Sequence, residues 1–179
     1  MGYYYALNDH ETIDVAIAIK EHYQPRFAGD QLPTTRDGVI LALAERLDTL
    51  VGVFGINKRP SGEKDPFKCR RAAIGVIRLL IEKSLNLQLT DLLFNTMSGY
   101  TNTLANQNAC QQVHDYILER LKSWYQEQGF SAHTINAVLA CQNNNLADLH
   151  QRILAVNAFT KLNEAHALAA ANKRVSRIL

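Results

Sequence analysis

Six histidines and three cysteines are the first candidates for chemistry in this 179-residue chain. A metal centre needs several of them together, most simply at i,i+4 on one helix or as a C-x-x-C pair. His10 and His22 flank one helical stretch, too far apart for such a pair. His133, His150 and His166 each stand alone on separate stretches. His114-Asp115 has the form of a metal-ligating dipeptide, which needs a histidine before it and an aspartate after it. The aspartate that best fits the later role, Asp48, comes first, so the order is wrong. Cys69, Cys110 and Cys141 are odd in number and widely spaced, which points to reduced thiols packed as small apolar groups. No G-x-x-x-x-G-K-[ST], G-x-G-x-x-G or G-x-S-x-G run occurs, nor a pair of loop carboxylates. The sequence therefore assigns no catalytic residue and no metal ligand.

Charge is the remaining chemistry. The chain carries a net charge of only +2, which excludes a uniformly basic binder. The distribution is uneven, however. Residues 58–83 hold eight basic and three acidic residues, and residues 172–179 hold three basic and none acidic. The remainder holds eight basic and 14 acidic. Two basic patches on an acidic background fit local contact with a phosphate backbone. The residues that would make it are Lys58, Arg59, Lys64, Lys68, Arg70 and Arg71, with Lys173, Arg174 and Arg177 as a second patch. Two bland readings stand beside this one. The run is a solvated face, or Arg70 or Arg71 pairs internally with Asp48 or Asp30.

The elements that must position these residues read as helix after helix. Periodicity places helices at 10–23 (Ile13, Ile17), 34–54 (Ile40, Leu43, Leu47, Leu50, Val51, Phe54) and 66–84 (Phe67, Ile74, Ile77, Ile81). Further helices follow at 106–128 (Val113, Ile117, Leu121, Trp124), 131–141, 146–157 and 162–179. Pro25 stops the first. Asp65-Pro66 reads as an N-cap with proline at the first helical position, and its carboxylate would fill part of the anion-attracting amide cluster. Gly129 ends the long helix and Ser131 caps the next. Leu85, Leu87 and Leu89 alternate, giving one short extended segment over 84–90. The fold class is therefore all-α, with an expected division into residues 1–100 and 101–179.

Composition agrees with a folded chain: 47% hydrophobic and 20% charged residues fit one compact domain or two small ones. No run approaches the roughly 18 apolar residues a membrane span needs. Met1-Gly2-Tyr3-Tyr4-Tyr5-Ala6 has neither a signal peptide's basic start nor the myristoylation pattern. A cytoplasmic location is expected. Tyr3 to Tyr5 are expected in the core or at a subunit contact, with base stacking as the alternative.

Several long runs carry a resemblance. They are Glu21-His22-Tyr23-Gln24-Pro25-Arg26-Phe27-Ala28-Gly29-Asp30-Gln31-Leu32-Pro33, Leu47-Asp48-Thr49-Leu50-Val51-Gly52-Val53-Phe54-Gly55-Ile56, Gly62-Glu63-Lys64-Asp65-Pro66-Phe67 and Arg70-Arg71-Ala72-Ala73. Met1 to Ala6 and Ala169 to Ser176 add to them. Together they resemble the beta subunit of bacterial glycyl-tRNA synthetases, with mild departures at Glu45-Arg46 and Lys68-Cys69. The resemblance implies an internal fragment of a longer subunit. Its fold would be an HD-domain-like helical bundle over 1–100, then a helical body leading into an anticodon-binding domain. Asp48 is similar to the last aspartate of an HD domain, whose working metal set the family has lost. The implied function is tRNA recognition in ATP-dependent glycyl-tRNA formation. ATP and glycine would be handled by the alpha subunit of a tetramer with two alpha and two beta subunits, with no cofactor in this fragment. The implied partners are glycine tRNA and the alpha subunit, with no membrane. Two rivals remain from the residues alone, an HD-type metal phosphohydrolase fragment and a purely structural assembly scaffold.

Overall fold

The computed structural model describes residues 1–61, 64–100 and 103–175, and only the backbone at 163, 166, 169, 170, 173 and 175. Among the described residues the fold is all-α. In chain order the helices are α1 (Gly2–Asn8), α2 (Ile13–Glu21), α3 (Arg36–Gly55), α4 (Cys69–Glu82), α5 (Leu89–Ser98), α6 (Ala109–Glu127), α7 (Ala132–Leu139), α8 (Leu146–Phe159) and α9 (Asn163–Val175).

One hydrophobic core runs through α3 to α8. α3 and α4 lie side by side, α6 packs on both, α5 fills the angle between α3 and α6, and α8 closes α4 from the other side. The residues that make this possible recur at helical spacing. Leu43, Leu47, Leu50 and Phe54 on α3 meet Ala73, Val76, Ile77 and Leu80 on α4. Val113, Ile117, Leu121 and Tyr125 line α6. Among the described residues Tyr125 is the largest fully buried side chain, and its neighbour Trp124, expected to be buried, is half-exposed. Gly129 follows α6 at φ +86, a left-handed conformation that glycine adopts without penalty. Ser131 accepts from the Thr134 amide at 3.1 Å and starts α7.

α1 and α2 stack in turn against α3, outside that core. α1 is an element the periodicity does not reveal, because Ala6 is its only buried residue. Tyr4 and Tyr5 are 73% and 64% exposed, which removes them from the core. Ile13 and Ile40, both expected to face inward, are also exposed; Ala16, Ala18 and Ala42 take the packing positions. The segment after α4 is extended only as far as Gln88, which bridges to Asn145. At Leu89 the chain turns into α5, where Leu89 and Leu93 are buried one turn apart.

The junction of α2 and α3 is held by one carboxylate. Glu21 accepts from the Thr34 amide (3.1 Å) and hydroxyl (2.6 Å), and from the Thr35 amide (3.0 Å) and hydroxyl (2.6 Å). Burial pushes its pKa up, but the four donors outweigh it and hold the group at about 2.

Candidate nucleic-acid interface

The first basic patch converges on the start of α4, which lies one turn later than the Asp65-Pro66 signal suggests. Lys68 takes a left-handed conformation (φ 58) at the N-cap position. Asp65 still caps the helix from a distance, because its carboxylate accepts from the amides of Cys69 (2.8 Å) and Arg70 (2.9 Å). The helix N-terminus thus already holds an internal anion, and any external phosphate must be met by side chains. Burial, helped by the Asp65 charge, pushes the Cys69 thiol up to about 11, so it is inert.

Successive helical residues point about 100° apart, so the linear patch divides between two grooves. Lys68 and Arg71 face α3. Here they line a cleft of about 270 Å³ with Tyr23, Arg26, Glu45, Arg46 and Phe67. Both basic side chains are exposed and make no ion pair among the described residues. Phe67, expected on the core side, is 45% exposed, and Tyr23 is 65% exposed.

Arg46 builds the floor of this cleft. It is only 5% exposed, and its guanidinium donates to four carbonyls: His22 (2.9 Å), Ala42 (2.6 Å), Tyr23 (3.1 Å) and Pro25 (3.2 Å). The side chain crosses α4 at Gly75, where a Cβ would collide with its Nε and Cδ. Burial lowers its pKa, with Glu45 pulling the other way. Arg26, at the cleft edge, pairs with Asp30 at 2.9 Å. The Arg26 side chain and amide hold the Asp30 carboxyl well below its usual range.

Arg70 faces α6. It lines a second groove of about 590 Å³ with Arg59, Arg120, Tyr116, Asp115 and Glu119. Arg120 pairs with Glu119 at 2.6 Å, and burial pushes the Tyr116 hydroxyl up to about 12. A neighbouring trough of about 480 Å³ shares Arg70 and Arg120 and adds Arg78 and Trp124; Arg78 is bonded to Glu82 at 2.6 Å. These two spaces are each lined by two carboxylates, the α3–α4 cleft by Glu45.

Lys58 and Lys64 are exposed and line neither groove. Lys64 instead exchanges backbone hydrogen bonds with Ser61, closing the loop on itself. Arg174 is exposed on α9 and lines neither groove; the Lys173 side chain and Arg177 lie outside the described residues. The two carboxylates considered for internal pairing are engaged elsewhere. Asp30 holds Arg26, and Asp48 accepts from the Tyr100 hydroxyl at 2.8 Å. His114 lies 2.9 Å from the Asn144 side-chain oxygen, tying α6 to the turn before α8. Among the described residues no group of three or more His, Cys, Asp or Glu side chains is placed to hold a metal, and no helix is long and apolar enough to cross a membrane. Cys110 is half-buried and Cys141 exposed, so only Cys69 is packed as a core residue.

Sequence reasoning missed Tyr23, Arg26, Phe67 and Arg120 as site residues, and Arg46 as the support of the Tyr23 loop. An aromatic beside a Pro-Arg pair in a loop was the available signal for the first two.

The model for the "Glycyl-tRNA synthetase beta subunit" family matches residues 1–140. The chain belongs to that family. Among curated relatives, the glycine–tRNA ligase beta subunit of Coxiella burnetii is 52% identical over all 179 residues, and that of Citrobacter koseri is 50% identical over the same length. In each case the alignment covers 100% of this chain and 26% of the relative. The chain thus spans about a quarter of the length of the relatives it matches. The family match includes every residue of both grooves.

Proposed function

We propose that this chain is a tRNA-binding portion of a glycine–tRNA ligase beta subunit, contributing RNA recognition to ATP-dependent glycyl-tRNA formation. The observation that carries the reading is the cleft beside α4. There Lys68 and Arg71, which make no ion pair among the described residues, stand next to two exposed rings in a chain of this family. Glycine activation and ATP belong to the alpha subunit in this reading, in an assembly of two alpha and two beta subunits. This chain's part is binding and orientation. Its cations meet phosphates and release condensed counterions, so affinity falls as salt rises. Arg70, on the opposite groove, extends the contact around the first turn of α4, and Arg59 continues it on the preceding loop.

The test is a Lys68→Ala, Arg70→Ala, Arg71→Ala variant in the assembled enzyme. Affinity for tRNA is expected to drop at physiological salt. The log–log salt slope is expected to shrink by about 2–3, one unit for each phosphate that is no longer neutralised. Glycyl-adenylate formation is expected to stay at the unmodified rate. Equal tRNA affinity for variant and parent across the salt range would remove these residues from the interface.

A further inference from the structure

We infer that the α3–α4 cleft holds one unpaired nucleotide of a single-stranded RNA segment, its base stacked on Tyr23 or Phe67 and its phosphates on Lys68 and Arg71. This rests on the RNA-binding reading above and specifies what enters the cleft. A space of about 270 Å³ lies just under the usual range for bound small molecules, the scale of a single base, and it is far too small for a duplex. Double-stranded RNA is met across wide shallow surfaces through its shape, whereas splayed bases are stacked on aromatic rings. The cleft has the parts for the second mode. Two rings stand exposed on its walls. Lys68 and Arg71 line the same walls and make no ion pair among the described residues. Aromatic platforms combined with a cationic track are the recurring way to hold single strands without regard to sequence.

The backbone beneath both rings is held before any ligand arrives. Arg46 spends its donors on the carbonyls of His22, Tyr23 and Pro25, so it is committed to holding the Tyr23 loop. Asp65 ties the turn that presents Phe67 and Lys68 to the first amides of α4. Such preorganisation lowers the ordering cost of binding. Glu45, the carboxylate on the cleft wall, offers an acceptor to a base amino group or a ribose hydroxyl. The groove on the other side of α4 has arginines but no exposed ring, because Phe54 is buried and Tyr116 half-buried.

The experiment uses the full chain and two labelled probes, a short oligoadenylate and a blunt RNA duplex with the same number of phosphates. The unmodified chain is expected to bind the single strand more tightly. A Tyr23→Leu, Phe67→Leu variant is expected to lose about 5- to 150-fold in single-strand affinity, the worth of one stacked base. Its salt slope and duplex affinity stay unchanged, and its melting temperature holds because both rings are exposed. A Lys68→Ala, Arg71→Ala variant instead lowers the single-strand salt slope by about 1–2. Equal binding of strand and duplex, or a leucine variant that binds the strand normally, overturns the nucleotide assignment while leaving RNA binding in place. Failure of the unmodified chain to bind either probe at low salt overturns both.

Discussion

Replacing Glu21 by glutamine keeps the side chain's size and removes its charge, which isolates what the carboxylate does at the α2–α3 junction. Its two oxygens serve four donors, the amides and hydroxyls of Thr34 and Thr35. A carboxamide has one oxygen, so it serves one threonine and turns an NH2 donor towards the other. That second threonine's amide N–H is left facing another donor, and its hydroxyl must turn to accept from the new NH2. Two charge-assisted hydrogen bonds disappear, at about 1.5 kcal/mol each. Exposure of Thr34 allows solvent to recover part of that, leaving a cost of about 2 kcal/mol. The pH dependence is the sharper signature. The folded carboxyl titrates at about 2 against an ordinary 4.5, so the unfolded chain binds more protons between those values. The stabilisation is complete above pH 4.5 and is lost as pH falls through about 2. Its full size is at most about 3 kcal/mol, and screening at this junction reduces it to about 1–2. Urea denaturation of parent and Glu21→Gln chains, from neutral pH down to about pH 3, measures the gap between them. The gap should narrow steadily below pH 4.5. A gap that stays constant over the whole range would refute the claim that the charge, rather than the side chain's packing, secures the junction.

Two further outcomes follow from contacts in the core. A Gly75→Ala chain places a methyl against the Arg46 guanidinium and should lose about 3 kcal/mol by overpacking and by displacing a buried, bonded cation. Calorimetry should show a melting temperature roughly 6–12 °C lower, and an unchanged value would mean that Arg46 moves aside without loss. At the α6–α8 contact, Tyr125 Oη lies 2.8 Å from His150 Nδ1. Burial lowers the His150 pKa, with Glu82 pulling it back up. Because the folded value lies below the ordinary 6.5, the unfolded chain takes up the proton first and stability falls as pH drops below about 6.5. Titration of the imidazole by NMR checks this, and a midpoint at or above 6.5 would contradict it.

What the sequence made legible depended on how strongly each element signals its own end and its own face. α3 and α6 are long and carry four or more buried residues at helical spacing, so their apolar stripes are unmistakable. α7 and α8 begin at Ser131 and Asn145, whose side chains accept from Thr134 and Asp148 amides as caps should. α1 was not legible because seven residues with a single buried alanine leave no stripe to detect. α5 was hidden by the alternation of Leu85, Leu87 and Leu89, which mimics a strand until Leu93 is seen to be buried one turn beyond Leu89. At α4 the N-cap position falls on Lys68 instead of Asp65, because the Asp65 carboxylate reaches the first amides across an intervening turn. The basic run was visible as a line of charge, but a line says nothing of its partners. Tyr23 and Arg26 reach the cleft from a loop some forty residues earlier, and Arg120 reaches the opposite groove from α6. Family resemblance added what periodicity could not, the family to which the chain belongs.

The crossing of Arg46 over Gly75 also constrains how this sequence can drift. Any side chain at position 75 collides with the arginine, so that glycine can be replaced only in a background where position 46 has already shortened. Shortening position 46 first strands the carbonyls of His22, Tyr23 and Pro25; even lysine replaces the guanidinium's planar fork of donors with a single point. Each single step is therefore worse than either endpoint, and the two positions should change together or not at all. The stretch from His22 to Pro25 inherits that restriction at a distance. Its shape is dictated by a residue on another helix, and the freedom to vary Tyr23 or Arg26 on the surface depends on leaving the backbone beneath them unchanged.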